Sequence, residues 1–112
     1  MVAIKLVISI VSDKDASHLL NELVQKGYRT TKLASTGGFL REGNTTMLIG
    51  VEKERVDDVI SIISTICQSR KQIVTPISSL PGPAEPFAAY PMEITVGGAT
   101  VFVIDVEQNI KV

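Results

Sequence analysis

The residue types able to hold a ligand are concentrated between Arg29 and Gly50. Arg29 offers a rigid guanidinium fork suited to phosphate. Thr30, Thr31 and Thr36 add hydroxyls, and the adjacent Gly37 and Gly38 let backbone N–H groups approach an anion closely. Phe39 and Leu40 form an apolar pair that can pack against an aromatic base. Asn44 carries both a donor and an acceptor on one amide, the combination that reads adenine. The same residues are compatible with a tight strand–strand loop whose Phe39 fills a neighbouring core. Neither a Walker loop nor a G-x-G-x-x-G turn is present, so the glycines by themselves are a weak signal.

Elsewhere the chain has little reactive chemistry. His18 stands beside Leu19 and Leu20 and reads as a packed or solvated surface residue. Cys67 completes an apolar helical stripe, where a buried thiol is the ordinary outcome. Ser12, Asp13, Lys14 and Asp15 form an S-x-x-D helix-capping pattern. Glu52, Glu54, Asp57 and Asp58 read as a solvated helix start. One His and one Cys exclude a zinc site built from those residue types within one chain, and a single Cys excludes an intramolecular disulfide. No convergent acid/base pair is visible, so we expect no enzyme, no catalytic residues, no metal and no cofactor.

These residues need elements to position them. Val2, Ile4, Leu6, Ile8 and Ile10 alternate along a first strand. Ala16, Leu19, Leu20, Leu23 and Val24 recur at helical spacing, and Gly27 stands where that helix should stop. Tyr28–Ser35 reads as a second strand and Thr45–Val51 as a third, with a short Gly-rich loop at about 37–43. Val56, Val59, Ile60, Ile63, Ile66 and Cys67 mark a second helix, with Arg70 and Lys71 expected near its end. Ile73–Ile77 could be a short strand. Four prolines between Ser78 and Pro91 lie in a long loop spanning about 68–98. Glu93–Val96 and Ala99–Val106 alternate around Gly97 and Gly98, a hairpin-turn signature.

That order predicts an α+β chain with a ferredoxin-like βαββαβ sandwich: an antiparallel sheet, two helices on one face and a long loop before the last strand. Apolar residues on both faces of the first strand, Ala3, Val7 and Val11 against Ile4 and Ile8, would leave the helix-free face greasy. We therefore expect a homo-oligomer. The 112 residues make one domain, 1–112. Hydrophobic residues at 45% and charged residues at 21% exclude wholesale disorder. A net charge of −1 argues against charge-driven binding to nucleic acid or to an anionic membrane. The apolar start is interrupted by Lys5 and Ser9 and is expected to be a buried strand of a cytoplasmic protein.

The run Thr31-Lys32-Leu33-Ala34-Ser35-Thr36-Gly37-Gly38-Phe39-Leu40-Arg41-Glu42-Gly43-Asn44-Thr45-Thr46 resembles the signature of the cyclic-di-AMP receptors of the PII-like family. Gly97-Gly98-Ala99-Thr100-Val101-Phe102-Val103 is a second match, and Tyr90-Pro91 also fits. The resemblance implies a PII-like homotrimer that binds the second messenger cyclic-di-AMP in clefts between neighbouring subunits, and that signals by ligand-dependent loop rearrangement to a downstream protein. It implies ligand-binding roles for Arg29, Thr30, Thr31, Gly38, Phe39, Leu40, Asn44 and Gly50, with Phe102 supplied by a neighbour. Asn44 would meet an adenine by its side chain and Gly50 by its backbone. PII proteins proper bind ATP and 2-oxoglutarate and carry their long loop between strands two and three; here that loop is short. The alternatives are a structural or interaction trimer, or a receptor for another adenine nucleotide such as ATP.

Overall fold

The computed structural model describes residues 3–33, 43–74 and 92–112. Strand β1 (Ile4–Ser12) runs through the middle of a four-stranded sheet. Ser12 then caps helix α1 (Asp13–Gln25), its Oγ accepting from the Lys14 amide at 3.3 Å. Gly27, at φ +86°, ends the helix. The Tyr28 amide donates to the Leu23 carbonyl at 2.9 Å and the Gly27 amide to the Val24 carbonyl at 3.0 Å. This Schellman closure is what a glycine at that position permits. The chain returns as β2 (Arg29–Lys32) and β3 (Asn44–Glu52), makes one 3-10 turn (Lys53–Arg55) and enters helix α2 (Val56–Ile66). Then follow β4 (Arg70–Val74), β5 (Met92–Val96) and β6 (Ala99–Asp105).

The sheet order is β2-β3-β1-β6, with every neighbouring pair antiparallel. Both helices cover one face, as the ferredoxin-like reading expects. Their layer buries Val7, Val11, Ala16, Leu19, Leu23, Met47, Ile49, Val59, Ile63 and Cys67. Alternation explains the choice of strand residues: Val7, Ser9 and Val11 on β1 and Thr45, Met47, Ile49 and Val51 on β3 are all buried under the helices. Their neighbours Leu6, Ile8, Ile10 and Leu48 point the other way and are half-buried in the single chain. No helix among the described residues is long and apolar enough to cross a membrane.

Four expectations are corrected. Val24 continues the helical count of α1 but lies exposed, outside the buried stripe. The second strand begins at Arg29, because Tyr28 is used in the Schellman closure, and residues 34 and 35 lie outside the described residues. Arg70 and Lys71 do not close α2; they open β4. Gly97-Gly98 is not a hairpin turn. β5 pairs with β4, from Arg70↔Val96 to Val74↔Met92, while β6 pairs with β1. The two glycines, at φ +81° and +89°, are the corner where the chain leaves one sheet for the other. The stretch expected to be a long loop thus has a two-stranded ladder at its base.

Candidate functional site

Register decides which of the predicted ligand residues share a surface. On the helix-free face, Arg29 lies opposite Gly50, and Gly50 opposite Leu6. One row further, Thr31, Leu48, Ile8 and Phe102 lie side by side across four strands. Asn44, at the first position of β3, also falls on this face and is exposed. Phe102 is 53% exposed, a large aromatic surface for a sheet residue. Thr30 alternates to the opposite side, opposite Ile49, and its hydroxyl donates to the Tyr28 carbonyl at 3.3 Å. The structure therefore groups Arg29, Thr31, Asn44, Gly50 and Phe102 on one face and separates Thr30 from them. Gly38, Phe39 and Leu40 lie outside the described residues.

Three of these residues line two separate clefts, and Thr31 and Phe102 line neither of the two. Arg29 and Gly50 line a cleft of about 180 Å³ with Gly27, Tyr28, Val51, Glu52 and Arg55. Arg55 lies over the Tyr28 ring, 5.7 Å from its centre, so this cleft has two guanidinium groups. The Tyr28 hydroxyl donates to Asp58; that bond, followed by burial, pushes its pKa above the ordinary value. Asn44 lines a second cleft, of about 300 Å³, with Ile10, Gly97, Gly98, Ala99 and Thr100. Asn44 and Gly50 are six positions apart on β3, or about 20 Å at strand rise. One chain cannot bring both to one adenine ring.

Gly50 is informative for another reason. A Cβ built there would meet nothing within 4 Å. No contact among the described residues requires a glycine at this position; what the glycine leaves is bare backbone facing outward. Gly97 is the reverse case. A Cβ there would stand 2.5 Å from Arg70 Nη1 and 2.7 Å from the Gln68 carbonyl oxygen.

Among the described residues, His18 and Cys67 lie in different places. His18 is exposed in a groove between the helices, with Glu22, Lys26 and Asp58. Cys67 is buried, and burial above all pushes its thiol up to about 11, so it is a neutral packing group at ordinary pH. No group of three or more His, Cys, Asp or Glu that could hold a metal occurs among the described residues. Sequence reasoning missed three charged residues beside the clefts. Arg55 follows two acidic or basic neighbours in an unremarkable run. Asp15 looked like the far end of a capping box, and Arg70 like a helix-end charge; instead they form an ion pair, Arg70 Nη2 to Asp15 Oδ1 at 2.9 Å.

The arrangement of two helices over a β2-β3-β1-β6 sheet matches solved PII structures. The PII protein of Arabidopsis thaliana bound to citrate superposes with a TM-score of 0.62 at 20% identity, over 97% of this chain and 80% of that one. GlnK of B. subtilis in complex with ATP superposes with a TM-score of 0.56 at 15% identity, over 93% and 82%. The fold is PII-like. A family model of cyclic-di-AMP receptors matches residues 4–112, and the chain belongs to that family. It is also similar to a functionally unknown protein from Pediococcus pentosaceus, 43% identical over all of both chains with a TM-score of 0.79.

Proposed function

We propose that this chain is a non-enzymatic cytoplasmic receptor for cyclic-di-AMP, working as a homotrimer with one ligand in each cleft between subunits. The observation that carries this reading is the separation of Arg29 and Gly50 from Asn44 at opposite ends of β3. Two chains that meet through their helix-free faces can set the Asn44 end of one beside the Arg29 end of the other. The apolar row Leu6, Ile8, Leu48, Phe102 and Ile104 supplies the driving force for such a meeting.

In this scheme Arg29 holds a ligand phosphate, with Thr31 and backbone N–H groups as further donors; the Thr30 side chain, turned to the other side of the sheet, takes no part. Asn44 reads an adenine edge, and the bare backbone at Gly50 lets the ring lie close. Gly38, Phe39 and Leu40 cover the bases from the short loop, and Phe102 closes the pocket from a neighbour. Binding rearranges the short and long loops, and a downstream protein reads the new surface. The ligand must favour one loop state over the other for any signal to pass.

Isothermal titration calorimetry with cyclic-di-AMP tests this, with cyclic-di-GMP and ATP as controls. Tight binding of cyclic-di-AMP alone, near one ligand per chain, is expected. Binding of ATP in its place would make the protein a receptor for a different adenine nucleotide. Silence from all three on folded protein would favour a structural or interaction trimer.

A further inference from the structure

Helix α1 begins with two carboxylates used in opposite directions. Asp13 accepts the hydroxyl hydrogen of Thr45, and the Asp13 amide donates to the Gly43 carbonyl at 3.0 Å. These contacts fix the chain on both sides of Asn44. Asp15 is 6% exposed and accepts from both terminal nitrogens of Arg70, at 2.9 and 3.4 Å. Arg70 Nη1 also donates to the Gln68 carbonyl at 3.0 Å. The guanidinium so held lies against Gly97, leaving no space for a side chain. The next residue, Gly98, donates its amide to the Cys67 carbonyl at 2.6 Å. Gly97 and Gly98 form one wall of the Asn44 cleft, so both of its walls are anchored to the first turn of one helix.

We infer that Asp15 and Arg70, neither of which lines the Asn44 cleft, are positioning residues for it, their ion pair holding the Gly97-Gly98 wall at its distance from Asn44. The receptor reading above supplies the ligand. Geometry supplies the rest. A two-pronged arginine–carboxylate contact fixes orientation as well as distance, and a nearly buried carboxylate that loses its partner must rearrange to find water. Arg70 is also the first residue of β4, so the same pair ties the two-stranded ladder to the cleft. Movement at the base of the ladder therefore reaches the wall by this side-chain contact as well as along the backbone, where Val96 pairs with Arg70 and precedes Gly97.

The test is a double-mutant cycle of Asp15→Asn, Arg70→Gln and the double variant. Cyclic-di-AMP affinity is measured by calorimetry, and exchange of the Gly98 amide by NMR in ligand-free protein. Each single change is expected to weaken binding about tenfold, and the double change by about the same factor, since each residue acts through the other. Gly98 exchange should quicken in all three. Arg70→Lys keeps the charge and loses the fork, so it should fall between wild type and Arg70→Gln, and it replaces any variant that does not fold. Losses that multiply to about a hundredfold in the double variant would mean that Arg70 touches ligand directly, and would overturn the inference. Unchanged affinity with unchanged exchange would overturn it too. Should the wild type take no cyclic-di-AMP, the receptor reading falls. The pair is then judged on Gly98 alone: faster exchange supports a positioning role, and unchanged exchange refutes it.

Discussion

Asn44 offers the most selective chemistry on the helix-free face, because an amide pairs with an adenine edge in both senses at once. Its exposure means that truncation should leave the fold intact. Asn44→Ala is expected to weaken cyclic-di-AMP binding by about 1–3 kcal/mol, since a desolvated base edge loses its partner. Calorimetry reads this directly, and an unchanged affinity would remove Asn44 from the site. Two glycines make a paired prediction. Gly50→Ala should alter stability by less than about 0.5 kcal/mol, as its Cβ meets nothing within 4 Å. Gly97→Ala combines a positive φ with a contact on Arg70 and should cost about 2–3 kcal/mol, read as a lower thermal midpoint. Cys67 sets a pH dependence. Its thiol is raised from 9.0 to about 11, so its contribution to stability is complete below pH 9 and is lost as pH rises through 11, where the unfolded chain has already ionised. The raised Tyr28 hydroxyl acts in the same direction. The melting temperature should fall from pH 9 to 11, and fall less steeply in Cys67→Ala; identical profiles would exclude the thiol as the cause.

At the scale of elements, β1, α1, β3 and α2 were legible in the residues because each has its own period. Two-residue alternation marks Ile4–Ser12 and Asn44–Glu52, and the three-to-four spacing of Ala16, Leu19 and Leu23 marks α1. The Gly27 stop was legible for the same reason, since closure of a helix end involves only nearby amides. The region after α2 was harder. Arg70–Val74 is charged at one end and apolar at the other, and its partner Met92–Val96 lies across seventeen intervening residues. The pattern around Gly97-Gly98 satisfies a hairpin as well as it satisfies a corner between two sheets. What selects the corner is the match of β6 to the free edge of β1, where Phe102 and Ile104 extend an apolar face already made by Ile8 and Leu6.

For the whole molecule, Phe102 and Ile104 extend the apolar helix-free face that Leu6, Ile8 and Leu48 begin, and both are about half exposed, so the described residues leave that face open. In sedimentation we expect a trimer of the 12.1 kDa chain. Ile8→Asp puts a charge in the middle of the apolar face and should shift that trimer toward monomer, with loss of cyclic-di-AMP binding although Asn44 is untouched. A variant that stays trimeric would place the subunit contact elsewhere. The fold class, the Ser12 cap and Gly27 stop of α1, most of the core stripes and the family were readable along the chain, because each rests on neighbouring residues or on a contiguous motif. The pairing of Asp15 with Arg70, the corner at Gly97-Gly98 and the setting of Arg29 opposite Gly50 were decided by the folded chain alone. Each depends on which distant backbone a strand finds, and no local period records that choice.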